Sequence, residues 1–144
     1  MTQLAHRPNK LIYQKCSTSS FFRMWVEFLT PFHHLAMREK DVFAKILEQY
    51  FTIREQCDDP VMCRELLWSA SSKTDIRNAL NMSQPHFQMV LGKLRENGVI
   101  KDNIINPRYI PHIKQGSSTF ELRVVFDYST TDMPEIPSNE TVTA

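Results

Sequence analysis

The sequence predicts a mainly α-helical domain that ends in a β-hairpin, an α+β arrangement in which helices dominate. Three observations carry that expectation. Apolar residues recur at three-to-four spacing between residues 18 and 96, capping signals divide that span into separate helices, and apolar and polar residues alternate between Phe120 and Asp127. With 144 residues, 42% of them hydrophobic, the chain is long enough for one core. The expected division is an extended arm over 1–16, a helical domain over 17–127 and an acidic, disordered tail over 128–144.

The arm shows little periodicity beyond Leu11-Ile12-Tyr13. Ser17-Thr18-Ser19-Ser20 then offers N-cap hydroxyls for a first helix, with Phe21, Trp25, Phe28 and Leu29 on one face and Pro31 as its stop. A long second helix is predicted over Met37 to Cys57. It places Val42, Phe43, Ile46, Leu47, Tyr50, Phe51 and Ile53 inward and Glu39, Lys40, Lys45 and Glu48 outward. Asp58-Asp59-Pro60 sets a cap and a first-turn proline for a third helix through Val61, Met62, Leu66, Leu67 and Trp68. After a break at Ser69 to Ser72, Ser72-Lys73-Thr74-Asp75 caps a short helix to Leu80, with Ile76, Ala79 and Leu80 inward. Asn81-Met82 is a turn. Ser83 and Pro85 open the next helix, Gln84 to Glu96, which buries Phe87, Val90, Leu91 and Leu94, and Asn97-Gly98 closes it. Ile104-Ile105 with Tyr109-Ile110, broken by Pro107, reads as one strand of a hairpin. Phe120, Leu122, Val124 and Phe126 read as the other, with Pro111 to Ser118 as the tip.

Composition excludes several classes. Three glycines leave no room for a Gly-rich phosphate loop, and no cofactor motif is present. No apolar run approaches the length of a membrane span, and no signal-peptide pattern follows Met1. Cys16, Cys57 and Cys63 lack C-x-x-C spacing, so neither a disulfide framework nor a zinc cage is expected, and a soluble protein of a reducing compartment is. His33-His34, His86 and His112 have no Cys or carboxylate partner at ligand spacing, so no metal site is expected and structural or solvent-facing histidines are. A small core role is expected for Cys63. No nucleophile elbow or oxyanion signature accompanies these groups, so no enzyme is expected.

The net charge of +1 hides an uneven distribution. Residues 1–15 carry Arg7, Lys10 and Lys15 without an acid. Residues 71–116 carry Lys73, Arg77, Lys93, Arg95, Lys101, Arg108 and Lys114 against Asp75, Glu96 and Asp102, a net of +4. Residues 127–144 carry four acids and no base. A basic block ahead of an acidic tail suggests a local anionic partner, the alternative being ordinary surface solvation.

Two helices joined by a short turn, the second longer and leading into a hairpin, complete the pattern. Through Ser72 to Ser83 and Phe87 to Ile100, the chain resembles the winged helix-turn-helix superfamily, with Leu94 to Ile100 matching the step from recognition helix to wing. The resemblance covers about residues 37–127 and implies a winged helix-turn-helix with additional N-terminal helices and a C-terminal β-hairpin wing. It implies double-stranded DNA as the partner, since a major groove about 12 Å wide admits one helix. The solvent face of the Gln84 to Glu96 helix would present Gln84, His86, Gln88, Met89, Lys93 and Arg95, glutamine suiting adenine and lysine or arginine suiting phosphates or guanine. Ser83 would hold a phosphate at the helix start, Lys73 and Arg77 would meet the backbone, and Arg108, His112 and Lys114 would reach it from the wing. A regulator of transcription or replication is the leading expectation. The small size and lack of catalytic signature also suit a bacteriophage-encoded protein, placing it in the host cytoplasm. The alternative is a structural or packaging component of a phage particle, located in the virion and touching other phage proteins or DNA without reading sequence. The aromatic first helix, through Phe21, Phe22, Trp25 and Phe28, is the expected interface of a homodimer that would set two recognition helices about 34 Å apart.

Overall fold

The computed structural model describes residues 10–114 and 116–129. It is mainly helical, with six helices and one two-stranded antiparallel sheet among the described residues. The helices are α1 (Thr18–Phe28), α2 (Thr30–His33), α3 (Met37–Arg54), α4 (Pro60–Leu67), α5 (Ala70–Leu80) and α6 (Gln84–Glu96); the strands are β1 (Ile100–Lys101) and β2 (Ile104–Ile105). No described helix is long and apolar enough to cross a membrane.

The long helix α3 is the central post, packed by α1, α4, α5 and α6. Its Val42, Phe43, Ile46 and Leu47 are buried, as the periodicity predicts. They meet Phe22 and Val26 of α1, Leu67 of α4, Ile76 of α5, and Phe87, Val90, Leu91 and Leu94 of α6 in one core. Cys63 is also buried, and its thiol donates to the Cys57 carbonyl at 3.2 Å.

Chain punctuation explains the boundaries. Ser17 caps α1 by accepting from the Ser20 amide, and Asp59 caps α4 by accepting from Val61, with Pro60 in its first turn. Asn81 ends α5 in the left-handed region, and the Met82 amide reaches back to the Arg77 carbonyl at 3.0 Å. Gly98 (φ 75°) does the same for α6, letting the Val99 amide bond the Leu94 carbonyl at 2.9 Å.

Several expectations need correction. The first helix buries Phe22 and Val26 most deeply; Phe21, Trp25 and Leu29 of the expected face pack half-buried against that core, and Phe28 is exposed. α3 stops at Arg54 instead of Cys57. α5 starts a turn earlier than Ser72 predicts: Ser69 is the cap, accepting from the Ser72 amide at 3.2 Å. Ser72 is buried instead, accepting from Gln49 Nε2 on α3 at 3.3 Å, while Ala79 faces outward.

The hairpin is also elsewhere. It spans residues 100–105, pairing Ile100 with Ile105 and Lys101 with Ile104 around Asp102-Asn103. Both turn residues have positive φ, 53° and 61°, the two-residue turn whose twist matches paired strands. Residues 107–109 form a single 3-10 turn instead of a strand. Residues 111–114 and 116–129 have no regular structure, so Pro111 to Ser118 is not a hairpin tip and Phe120 to Phe126 is not a paired strand. The arm ahead of Lys10 and the tail beyond Ser129 lie outside the described residues; Lys10 to Cys16 is without regular structure and exposed.

Candidate nucleic-acid interface

Helix α6 is held from beneath and open above. Phe87, Val90, Leu91 and Leu94 anchor it, while Gln84, Pro85, Gln88, Met89, Lys93, Arg95 and Glu96 are exposed. At 100° per residue, the point opposite the buried stripe is a ridge of Pro85, Met89, Gly92 and Glu96. Gln84, Gln88 and Arg95 form one shoulder of that ridge, and His86 with Lys93 the other. The expected polar readers therefore flank the helix instead of cresting it, and the crest offers small or apolar contact through Pro85, Met89 and Gly92 and an acidic end at Glu96.

The start of α6 differs from the expected phosphate cradle. Ser83 Oγ accepts the His86 amide at 3.3 Å and its carbonyl accepts Phe87 at 2.9 Å. Pro85 has no donor, so Gln84 supplies the one free amide of the first turn. Ser83 is a cap first.

On α5, Lys73 and Arg77 stand one turn apart on the same flank, each half-buried. Asp75 and Ala79 line the other flank, where they border a groove with Lys45, Glu48, Gln49 and Thr52 of α3. Arg108 belongs to a different neighbourhood. Its guanidinium lies 5.3 Å from the Phe32 ring centroid and 5.7 Å from that of Tyr109, a cation–π stack beside α2. His112 and Lys114 are exposed in the irregular segment after Pro111, off the hairpin. The turn of the real hairpin carries Asp102, and its Asn103 carbonyl accepts Trp68 Nε1–H at 2.7 Å, which fixes the hairpin to the end of α4.

Ion pairing separates the cations into two sets. Arg23, Arg38 and Lys40 are spent on Glu27 and Asp41 in a network that fastens α1 to α3, and Lys45 pairs with Glu48 within α3. Two bases hold the Glu27 carboxyl below its ordinary range: the largest effect is the hydrogen bond from Lys40, followed by that from Arg23. Among the described residues, one further ion pair forms, Lys93 with Glu96 at 3.5 Å. Lys73, Arg77, Arg95, Lys101 and Lys114 have no carboxylate partner there. Arg95, expected on the solvent face of the helix, is exposed there, and Lys101 joins the candidate surface on structural grounds, its signal in the sequence being only its place in the basic block.

The first helix has less surface to offer a partner than its composition predicts. Phe22 is 2% exposed. Phe21 packs edge-on to Phe22 and Phe120, and Trp25 packs edge-on to Phe120 while its Nε1–H donates to the Tyr109 carbonyl at 2.8 Å. Of the four aromatic residues expected at a dimer interface, Phe28 alone is exposed, with Met24 and Phe32 also open nearby in the chain.

No three His, Cys, Asp or Glu side chains gather to hold a metal among the described residues. His33 is wholly buried and structural: Nε2 meets the Val26 carbonyl at 2.8 Å and Nδ1 accepts the Leu35 amide at 3.0 Å. Comparison with protein-family models, curated proteins and solved structures finds no match to the chain.

Proposed function

We propose that the protein binds double-stranded DNA through α6 and the Lys73–Arg77 flank of α5, as a winged-helix regulator of transcription or replication. α3, α5 and α6 serve as the three helices of that fold, and the short β1–β2 hairpin serves as a reduced wing. The observation that carries the reading is the division of the cations. Arg23, Arg38, Lys40 and Lys45 are paired with carboxylates of α1 and α3. On and beside α6, by contrast, Lys73, Arg77, Arg95 and Lys101 have no carboxylate partner among the described residues, and Lys93 has only the exposed Glu96 at 3.5 Å. This is a cluster of like charge whose energetic cost a polyanion would offset. Gln84, Gln88 and Arg95 on one shoulder of α6 are the base-reading groups, since glutamine can pair with adenine and arginine with guanine. Lys73, Arg77, Lys93 and Lys101 are phosphate contacts.

The test is a salt titration of duplex binding. Four phosphate contacts, each releasing DNA counterions, give a slope of about −3.6 in log K against log salt, a loss of roughly 150-fold between 50 and 200 mM. Absence of binding to any duplex at low salt would overturn the proposal. A second reading is kept by Asp102 of the hairpin turn and by Pro85, Met89 and Glu96 on the crest of α6, which suit contact with another protein in a virion assembly, with the flanking bases left for non-specific DNA. A regulator should prefer its site by about 10³ or more over random duplex and lose that preference on substitution of Gln84 and Gln88, whereas an assembly component should show neither effect.

A further inference from the structure

The most conspicuous unspent chemistry lies in two extended segments that flank the helical body. Leu11, Ile12 and Tyr13 are 76%, 81% and 73% exposed, and Val125, Phe126 and Tyr128 are 76%, 81% and 89% exposed. Such residues are favoured in pleated, half-covered strands. Among the described residues, no ladder of backbone hydrogen bonds joins residues 10–16 or 119–128 to another strand.

Both segments leave the body beside α1. Residues 10–16 run straight into its cap at Ser17, and residues 119–129 are pinned where Phe120 meets Phe21 at 5.2 Å and Trp25 at 5.5 Å. Their charges are opposed: Lys10 and Lys15 stand in the first without an acid, and Glu121 and Asp127 flank the apolar run of the second, with Arg123 the one base between them. The wider sequence repeats this contrast, basic over 1–15 and acidic over 127–144.

We propose that a second copy of this chain covers these segments, residues 10–16 of each copy pairing as a β-strand with residues 119–129 of the other. The six highly exposed side chains offer on the order of 800 Å² per copy, about what each partner buries in a standard-size interface. Reciprocal exchange closes under two-fold symmetry, so the assembly stops at a dimer. Main-chain bonds supply affinity and the lysine–carboxylate placement supplies direction and register. This interface does not depend on DNA and is separate from the Phe28 face of α1.

The experiment uses the full chain and charge reversal at exposed positions, where folding is monitored by circular dichroism. Wild type is expected to sediment as a dimer, twice 16.9 kDa, at tens of micromolar. The double variants Lys10→Glu/Lys15→Glu and Glu121→Lys/Asp127→Lys each set like charges across the pairing. Each is expected to be monomeric alone, with the dissociation constant raised at least 30-fold, and the two mixed in equal amounts should form a heterodimer. Ile12→Asp should weaken the dimer without rescue by either variant. A wild-type monomer at 100 μM, a dimer indifferent to the reversals, or a mixture that fails to associate would each overturn the proposal; the second of these would point to the α1 face instead.

Discussion

Acidification should unfasten the joint between α2 and α3 through one buried ring. His33 is 0% exposed and both its nitrogens are engaged: because the Leu35 amide donates to Nδ1, the ring is neutral and carries its proton on Nε2, which donates to the Val26 carbonyl. A second proton would have to sit on Nδ1, facing the Leu35 N–H donor to donor and leaving both in a dry site. Burial therefore holds His33 below its ordinary 6.5, against the opposing pull of the Val26 carbonyl. With the folded value depressed, stability is complete above pH 6.5 and is lost as pH falls below it, where the unfolded ring takes a proton that the folded ring refuses. One proton is worth about 1.4 kcal/mol per pH unit, so the ceiling on the loss between pH 7.5 and pH 5 is about 2 kcal/mol. Urea unfolding followed by Trp25 and Trp68 fluorescence at half-unit pH steps measures it. His33→Gln keeps a buried amide donor but cannot titrate; it should start less stable and show a much flatter profile across the same window. Glu27, whose carboxyl is held low by Lys40 and Arg23, acts only below its ordinary 4.5 and so falls in a separate window. A flat wild-type profile from pH 7.5 to 5, or an undiminished slope in His33→Gln, would refute the reasoning.

Two glycines should respond in opposite directions to alanine. Gly98→Ala forces a side chain into a left-handed conformation (φ 75°) and should cost about 1 kcal/mol, whereas Gly92→Ala places a methyl in open space within α6 and should add up to about 1 kcal/mol; thermal melts of the pair compare them directly. Because Gly92 lies on the outward crest of α6, its alanine variant should also weaken duplex binding while raising the melting temperature. Trp68→Phe keeps the ring but deletes the bond to the Asn103 carbonyl, which should cost about 1 kcal/mol and speed amide exchange at Lys101 and Ile104 relative to α3.

What could be read in the chain follows from how local each signal is. α6 was legible to the residue because Ser83, Pro85 and Asn97-Gly98 fix its ends by short-range geometry and its apolar stripe fixes its buried face. α5 was misplaced at its start because Ser69, Ser71 and Ser72 all offer a capping oxygen, and the choice rests with Gln49, a partner 23 residues away on α3. The hairpin carried a readable signal, Asp102-Asn103 between two apolar pairs, which the stronger alternation after Phe120 obscured. That alternation describes a segment fit for pairing without naming its partner. The candidate interface was legible as a set of basic residue types, yet their grouping was not. Arg108 left the set for a ring on α2, and the pairing of Arg23 with Asp41 and of Lys40 with Glu27 depends on how α1 lies along α3, which no local pattern specifies.

The bond from Trp25 to the Tyr109 carbonyl joins residues 84 positions apart. On a ribosome adding about 5–20 residues per second, the indole emerges roughly 4–17 s before the carbonyl that receives it. Throughout that interval Phe21 and Trp25 lack the Phe120 ring and the Tyr109 carbonyl that cover them in the fold. Synthesis truncated before Tyr109 should therefore leave a sticky, aggregation-prone product, because the stretch from Tyr109 to Phe120 decides whether the first helix is covered.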